Sequence, residues 1–107
     1  MTVDDARAIA FDQADAVEGA HHGHPDFRVG KSVFATLWPT QNRSVLRLPE
    51  PLAESLEQQN PETFKIVSRS GGQGWLSVQL ETVDPEEFRS LMEVAHQHLV
   101  AGKSAKK

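Results

Sequence analysis

The residues with the most chemical potential crowd between positions 21 and 28: His21, His22, His24, Asp26 and Arg28. Neutral imidazole is the commonest metal ligand. On an extended backbone His22 and His24 share a side, and Asp26 continues that row. A zinc or nickel site needs three or four ligands converging, each oriented by a further partner. No helical His-x-x-x-His pair is present, and His96 and His98, two apart on a helix, point to different sides. Loop histidines bonded to backbone or water are therefore the plainer reading. His22, His24 and Asp26 stand as the candidate metal set, and no cofactor is expected. Catalysis has less support still. The chain has no cysteine, which removes thiolate nucleophiles, thiolate zinc sites, iron–sulfur clusters and disulfides together. It has no Gly-x-Ser-x-Gly elbow. Gly71-Gly72-Gln73-Gly74 lacks the Gly-Lys-Ser/Thr ending of a phosphate loop and links two strand patterns, so it reads as a hairpin turn. Glu54, Glu57, Glu86 and Glu87 read as helix-surface charges, with no convergent acid–base pair among them. The expectation is a protein that is not an enzyme.

The second chemistry is electrostatic. Arg28, Lys31, Arg43, Arg47, Lys65 and Arg69 fall in or beside segments patterned as strands, with Trp75 and Trp38 among them. Cations beside flat aromatic rings suit a phosphate backbone and unstacked bases. The net charge of −4 works against long-range attraction to nucleic acid. Its distribution is uneven, however. Residues 21–48 hold one acid and four bases, and residues 64–80 hold two bases and no acid. Residues 1–20 and 81–101 hold five acids and one base each, and residues 49–63 four acids and no base. Positive charge thus follows the strand patterns and negative charge the helical ones.

The elements that must position these side chains are legible from spacing. Thr2 and Asp5 form a capping arrangement ahead of Val3, Ala6, Ile9 and Ala10, which predicts a helix over residues 3–13. Residues 14–19 read as a connector or short strand. Apolar runs over 27–29 and 32–38 flank Gly30-Lys31, and glycine as the first of two central residues signals a type II′ hairpin. Residues 39–42 read as a turn, and 44–48 as a strand with Leu46 and Leu48 on one face and Arg43, Val45 and Arg47 on the other. A short helix over 52–59 follows two prolines and stops at Asn60-Pro61. Phe64, Ile66 and Ser68 alternate with Lys65, Val67 and Arg69. After the glycine-rich turn, Leu76, Val78 and Leu80 alternate with Trp75, Ser77 and Gln79. The last helix starts at Asp84-Pro85 with Glu87 completing a capping box, presents Phe88, Leu91, Met92, Ala95 and Leu99 on one face, and ends at Gly102. The core expected from these faces is Phe27, Val29, Leu46, Ile66, Leu76, Val78, Phe88, Leu91, Met92 and Leu99.

Three helices and five or six hairpin-joined strands predict an α+β, two-layer sandwich: an antiparallel sheet with the helices on one face and the other face wet. At 107 residues the chain suits one domain over 1–102, with 103–107 as a flexible basic tail. It has no apolar run of membrane-spanning length and no charged-then-apolar leader, so a cytoplasmic monomer is expected.

Residues 23–37, Gly-His-Pro-Asp-Phe-Arg-Val-Gly-Lys-Ser-Val-Phe-Ala-Thr-Leu, resemble the signature stretch of MmcQ/YjbR-like proteins. Val17-Glu18-Gly19 resembles the segment before it, and Gln73-Gly74-Trp75-Leu76-Ser77-Val78 and the acidic-start helix follow in the expected order. The chain departs from that pattern at Asp12-Gln13-Ala14-Asp15, where a Leu-Pro pair is common, and at His96, where an aromatic is common. The resemblance implies a CyaY-like fold, a double-wing DNA-binding role and no established enzyme activity. The functional expectation is weak, non-specific DNA binding by a face bearing Arg28, Lys31, Arg43, Arg47, Lys65, Arg69 and Trp75. The alternative is an interaction module for an unknown protein partner, with the acidic helices or an exposed Trp75 as its docking point.

Overall fold

A computed structural model describes residues 1–21 and 24–105. The elements run α1 (Val3–Phe11), β1 (Val17–His21), β2 (His24–Val29), β3 (Ser32–Trp38), a 3₁₀ turn (Pro39–Gln41), β4 (Arg43–Pro49), α2 (Glu50–Gln59), β5 (Phe64–Ser70), β6 (Gln73–Gln79) and α3 (Pro85–Ala105). The strands form one six-stranded sheet in the order β1-β2-β3-β4-β6-β5, every neighbouring pair antiparallel. The expected α+β sandwich is the observed fold, with residues 17–21 resolving as an edge strand.

Local chemistry accounts for the element ends. At α1 the Asp5 N–H donates to Thr2 Oγ1 at 3.1 Å while the Thr2 N–H donates to Asp5 Oδ2 at 2.9 Å. The exchange with the Thr2 backbone, and then its hydroxyl, pulls the Asp5 pKa below the usual 3.8. The helix ends at Phe11, short of the expected 13, where the Gln13 side-chain amide donates to the Ile9 carbonyl. Helix α2 begins at Glu50, earlier than expected, because Pro51 fits a first turn where no N–H is needed. At α3 the Asp84 carboxylate accepts the Glu87 N–H at 3.1 Å. That helix runs through Gly102 to Ala105, correcting the expected stop. A glycine there costs only about 1 kcal/mol relative to alanine unless the chain turns left-handed. Gly30 takes φ +63° with Val29 opposite Ser32, the geometry of the expected two-residue hairpin.

Two bulges reset the alternation of the sheet. Between β2 and β3 the pairing steps from Phe27–Ala35 to Arg28–Val33, so Phe34 is an extra residue and both Phe34 and Ala35 are buried. Between β5 and β6 it steps from Ile66–Leu76 to Ser68–Trp75, leaving Val67 extra. All three helices pack on one side: α3 against β3 and β4, α2 against β4, β5 and β6, and α1 against β3 and α3. The core between the layers holds Phe27, Leu46, Leu76, Val78, Phe88, Leu91, Met92 and Leu99, as expected, with Val29 and Ile66 only half-buried at its margin. Phe34, Leu37, Leu48, Phe64 and Leu80 are its further large members, with Ile9 of α1 and Leu56 of α2 closing it from the helix side. His96 of α3 meets Phe34 edge-to-face at 5.5 Å, and its Nε2 donates to the Ala14 carbonyl at 2.8 Å. The imidazole thus packs as an aromatic and also ties down the loop after α1.

Candidate functional site

Strand register sorts the side chains between two faces. Phe27, Ala35, Leu46, Leu76 and Ile66 form one row across the sheet, turned to the helices. Asp26, Thr36, Val45, Ser77 and Lys65 form a row on the opposite, open face. Flanking that row, Arg47 pairs with Trp75 and Trp38 pairs with Arg43 on the same open side. Glu18 and Asp26 are the two acids in described strands. Glu18 sits opposite Phe27 on the helix side, where it takes an N–H from Arg7 of α1 at 2.9 Å. Asp26 is therefore the one strand acid on the open face.

That acid is neutralised. Arg28 Nε and Nη2 donate to Asp26 Oδ1 and Oδ2, each at 2.8 Å, and the carboxylate is 1% exposed. A bidentate, charge-assisted pair of this kind is among the stronger side-chain interactions. Its hydrogen bonds, and the negative charge behind them, hold the Arg28 pKa above its ordinary value. Gly19 of β1 lies directly opposite Asp26. A Cβ there would come within 2.8 Å of Asp26 Oδ1, so the pair occupies the space a side chain would take.

Arg43, Arg47 and Lys65 meet no carboxylate among the described residues. Arg43 donates to Gln41 Oε1 at 2.7 Å and to Ser77 Oγ at 2.9 Å, and Arg47 Nε donates to Gln73 Oε1. Neutral acceptors fix the direction of a guanidinium without cancelling it. Arg43 also lies 4.8 Å from the centroid of the Trp38 ring, against which His24 stacks at 3.8 Å and 25°. The Trp38 Nε1–H donates to Thr36 Oγ1 at 3.0 Å, locking the indole in place. Lys65 is exposed. The same face holds a hollow of about 500 Å³, lined by Asp26, Arg28, Val33, Thr36 and Trp75. Trp75 is half-buried along its wall, where an exposed ring was expected.

Two of the candidate cations lie elsewhere. Arg69 pairs with Gly74, against which Ala53 of α2 packs, and its Nη1 meets Glu54 at 2.8 Å and Glu50 at 3.2 Å. The Val67 bulge moved it to the helix side, a two-residue alternation having been displaced by one. Lys31 is exposed at the tip of the β2–β3 turn, beyond the hollow. Glu57 is more than a surface charge, since it accepts the Ile66 N–H at 2.9 Å beside the bulge. The sequence reading did not single out Gly19, Val33, Thr36, Gln73 and Ser77 as site residues: they lie in the stretches that carry the family resemblance, but they are uncharged and their types signal no chemistry by themselves. Of the candidate metal set, His24 is stacked on Trp38, Asp26 is bonded to Arg28, and His22 lies outside the described residues. Among the described residues no three His, Asp or Glu side chains converge on a metal position. No described helix is long and apolar enough to cross a membrane.

A family model described as YjbR matches residues 12–98. The crystal structure of a Deinococcus radiodurans protein with a DUF419 domain superimposes with a TM-score of 0.77 at 24% identity, over 89% of this chain and 75% of that one. At that identity the likeness speaks for the fold alone. A search of curated proteins found no match.

Proposed function

The chain belongs to the YjbR family, and from the face its fold leaves open we propose that it binds nucleic acid, weakly and without strong sequence preference. One observation carries the reading. Among the described residues, the one strand acid on the open face is buried and paired, while Arg43, Arg47 and Lys65 stand there beside Trp38 and Trp75 without a carboxylate partner. A handful of phosphate contacts gives affinities on the order of 10⁻⁴ to 10⁻⁶ M, strongly dependent on salt. The helices hold most of the acids, so nucleic acid approaching from their side is repelled and only the sheet side attracts. The role is binding, with no reaction catalysed.

The test is fluorescence anisotropy with duplex and single-stranded oligonucleotides at low and moderate salt. Arg43→Glu/Arg47→Glu should abolish the signal while leaving the thermal melt within a few degrees of wild type. Wild-type protein that fails to bind at low salt would sink the proposal and put a protein partner on this face first. Binding indifferent to the two reversals would do the same.

A further inference from the structure

The hollow on the open face holds a hydrogen-bonding edge that phosphate attraction does not use. Asp26 takes the Nε–H of Arg28 and one N–H of Nη2. A guanidinium carries five N–H donors in one plane, so the second Nη2 hydrogen and both Nη1 hydrogens remain. No acceptor among the described residues takes them. These donors form the end of the fork, and covalent geometry turns that end away from the carboxylate. Asp26 cannot swing aside to meet them, being 1% exposed and held by both oxygens. Arg28 is thus a planar donor pair with its charge already balanced, its side chain still one-third exposed at 34%.

The rest of the hollow suits a flat ring. Its lining is Val33, Thr36 and the half-buried indole of Trp75, and about 500 Å³ falls within the roughly 300–1,000 Å³ of ordinary ligand pockets. Bases of a duplex are stacked and closed to such a wall, whereas an unpaired base can lay its π-face on an indole. Two parallel N–H donors from arginine meet two adjacent acceptors on one base edge, and O6 and N7 of guanine are that pair. Thymine and adenine offer no such edge. Unpaired cytosine offers N3 and O2, but its smaller ring covers less of the indole. Resting on the nucleic-acid reading above, we infer that the hollow receives an unpaired guanine, stacked on Trp75 and hydrogen-bonded by the free end of Arg28. The protein then prefers single strands that carry guanine, and Arg28 is a specificity residue while Arg43, Arg47 and Lys65 supply affinity.

Anisotropy titrations compare a labelled oligothymidylate with strands of the same length carrying one central guanine, 7-deazaguanine or cytosine. The guanine strand should bind about tenfold more tightly than oligothymidylate, the lower range for one bidentate base contact. Removing N7 in 7-deazaguanine, or replacing the fork by Arg28→Lys, should erase most of that ratio. Because Asp26 balances the charge of Arg28, the ratio should hold from low to moderate salt while both affinities fall. Trp75→Leu, which removes no member of the Asp26–Arg28 pair, should weaken the guanine strand about tenfold. Thermal melts of both variants verify that they fold. Equal binding of guanine and thymine strands, a preference for cytosine over guanine, or a ratio that survives Arg28→Lys overturns the inference and leaves the basic face standing. Failure of every oligonucleotide to bind at low salt overturns both.

Discussion

Gly19 decides whether the Asp26–Arg28 pair can exist. A Cβ at that position would lie 2.8 Å from Asp26 Oδ1 and 3.3 Å from both Arg28 Nε and Nη2. A methyl there forces the carboxylate, and with it the guanidinium, to shift, so Gly19→Ala should strain both hydrogen bonds. Exposing or unpairing a buried carboxylate should lower stability by about 1–3 kcal/mol, read as a drop in the thermal midpoint. An unchanged midpoint would show that the pair is looser than its 2.8 Å contacts. Asp5 offers a second measurement at the same scale. Its folded pKa lies below the ordinary 3.8, chiefly through the Thr2 backbone N–H. The stabilisation is therefore fully present above pH 3.8 and is lost as pH falls through the lower folded value. Carboxyl NMR titration should place the Asp5 midpoint below 3.8, and a midpoint at or above 3.8 would remove the capping exchange from the account.

At the scale of elements, α3 and the β2–β3 hairpin bury their apolar residues in one core that α1, α2, β4, β5 and β6 share. Phe27 is 0% and Leu91 6% exposed, with the Phe11 ring set edge-on to Phe27 at 5.5 Å. Phe27→Ala or Leu91→Ala should each cost about 2–5 kcal/mol, because the transfer energy and the cavity add. Chemical denaturation measures both. A midpoint for Leu91→Ala equal to wild type would mean that α3 presents another face to the sheet. The two bulges explain why the strand patterns were readable only up to a point. Simple alternation holds along β4 and along β6, where Arg43, Val45, Arg47, Trp75, Ser77 and Gln79 stand on the expected side. It fails after Val67, because an inserted bulge residue has no composition signature, and so Arg69 was assigned to the wrong face.

For the whole molecule, the open face presents Arg43, Arg47 and Lys65 with no carboxylate partner among the described residues, while Arg28 and Arg69 are balanced by carboxylates. Counterion release counts only cations that reach phosphate. The logarithm of the duplex association constant should therefore fall with log salt at a slope of about −3, near 0.9 per contact. Arg69→Ala should leave that slope unchanged, since Arg69 spans Glu50 and Glu54 on the far side of the sheet. A slope near zero would remove phosphate from the interface. A slope that dropped by one unit in the Arg69 variant would mean that nucleic acid reaches the α2 edge of β5.

Much of this architecture was already determined by the order of residues. Thr2 and Asp5, Gly30, Asp84 and Pro85 act on neighbours three or four positions away, so turns and helix starts needed no tertiary information. The segregation of acids into helical segments and bases into strands is likewise a property of the chain itself. Apart from the Arg28–Asp26 pair, two residues apart on one strand, which bases meet a carboxylate and on which face they stand depended on contacts distant in sequence. Asp26 meets Gly19 across a strand pair, Arg43 meets Ser77 across β4 and β6, and Arg69 meets α2 only after a bulge has shifted the register. Local spacing decides where an element begins and sets Arg28 beside Asp26, two residues away on one strand; register and packing decide that Arg47 ends beside the Gln73 amide and Arg69 beside Glu50 and Glu54, and hence which guanidinium is left without a carboxylate partner.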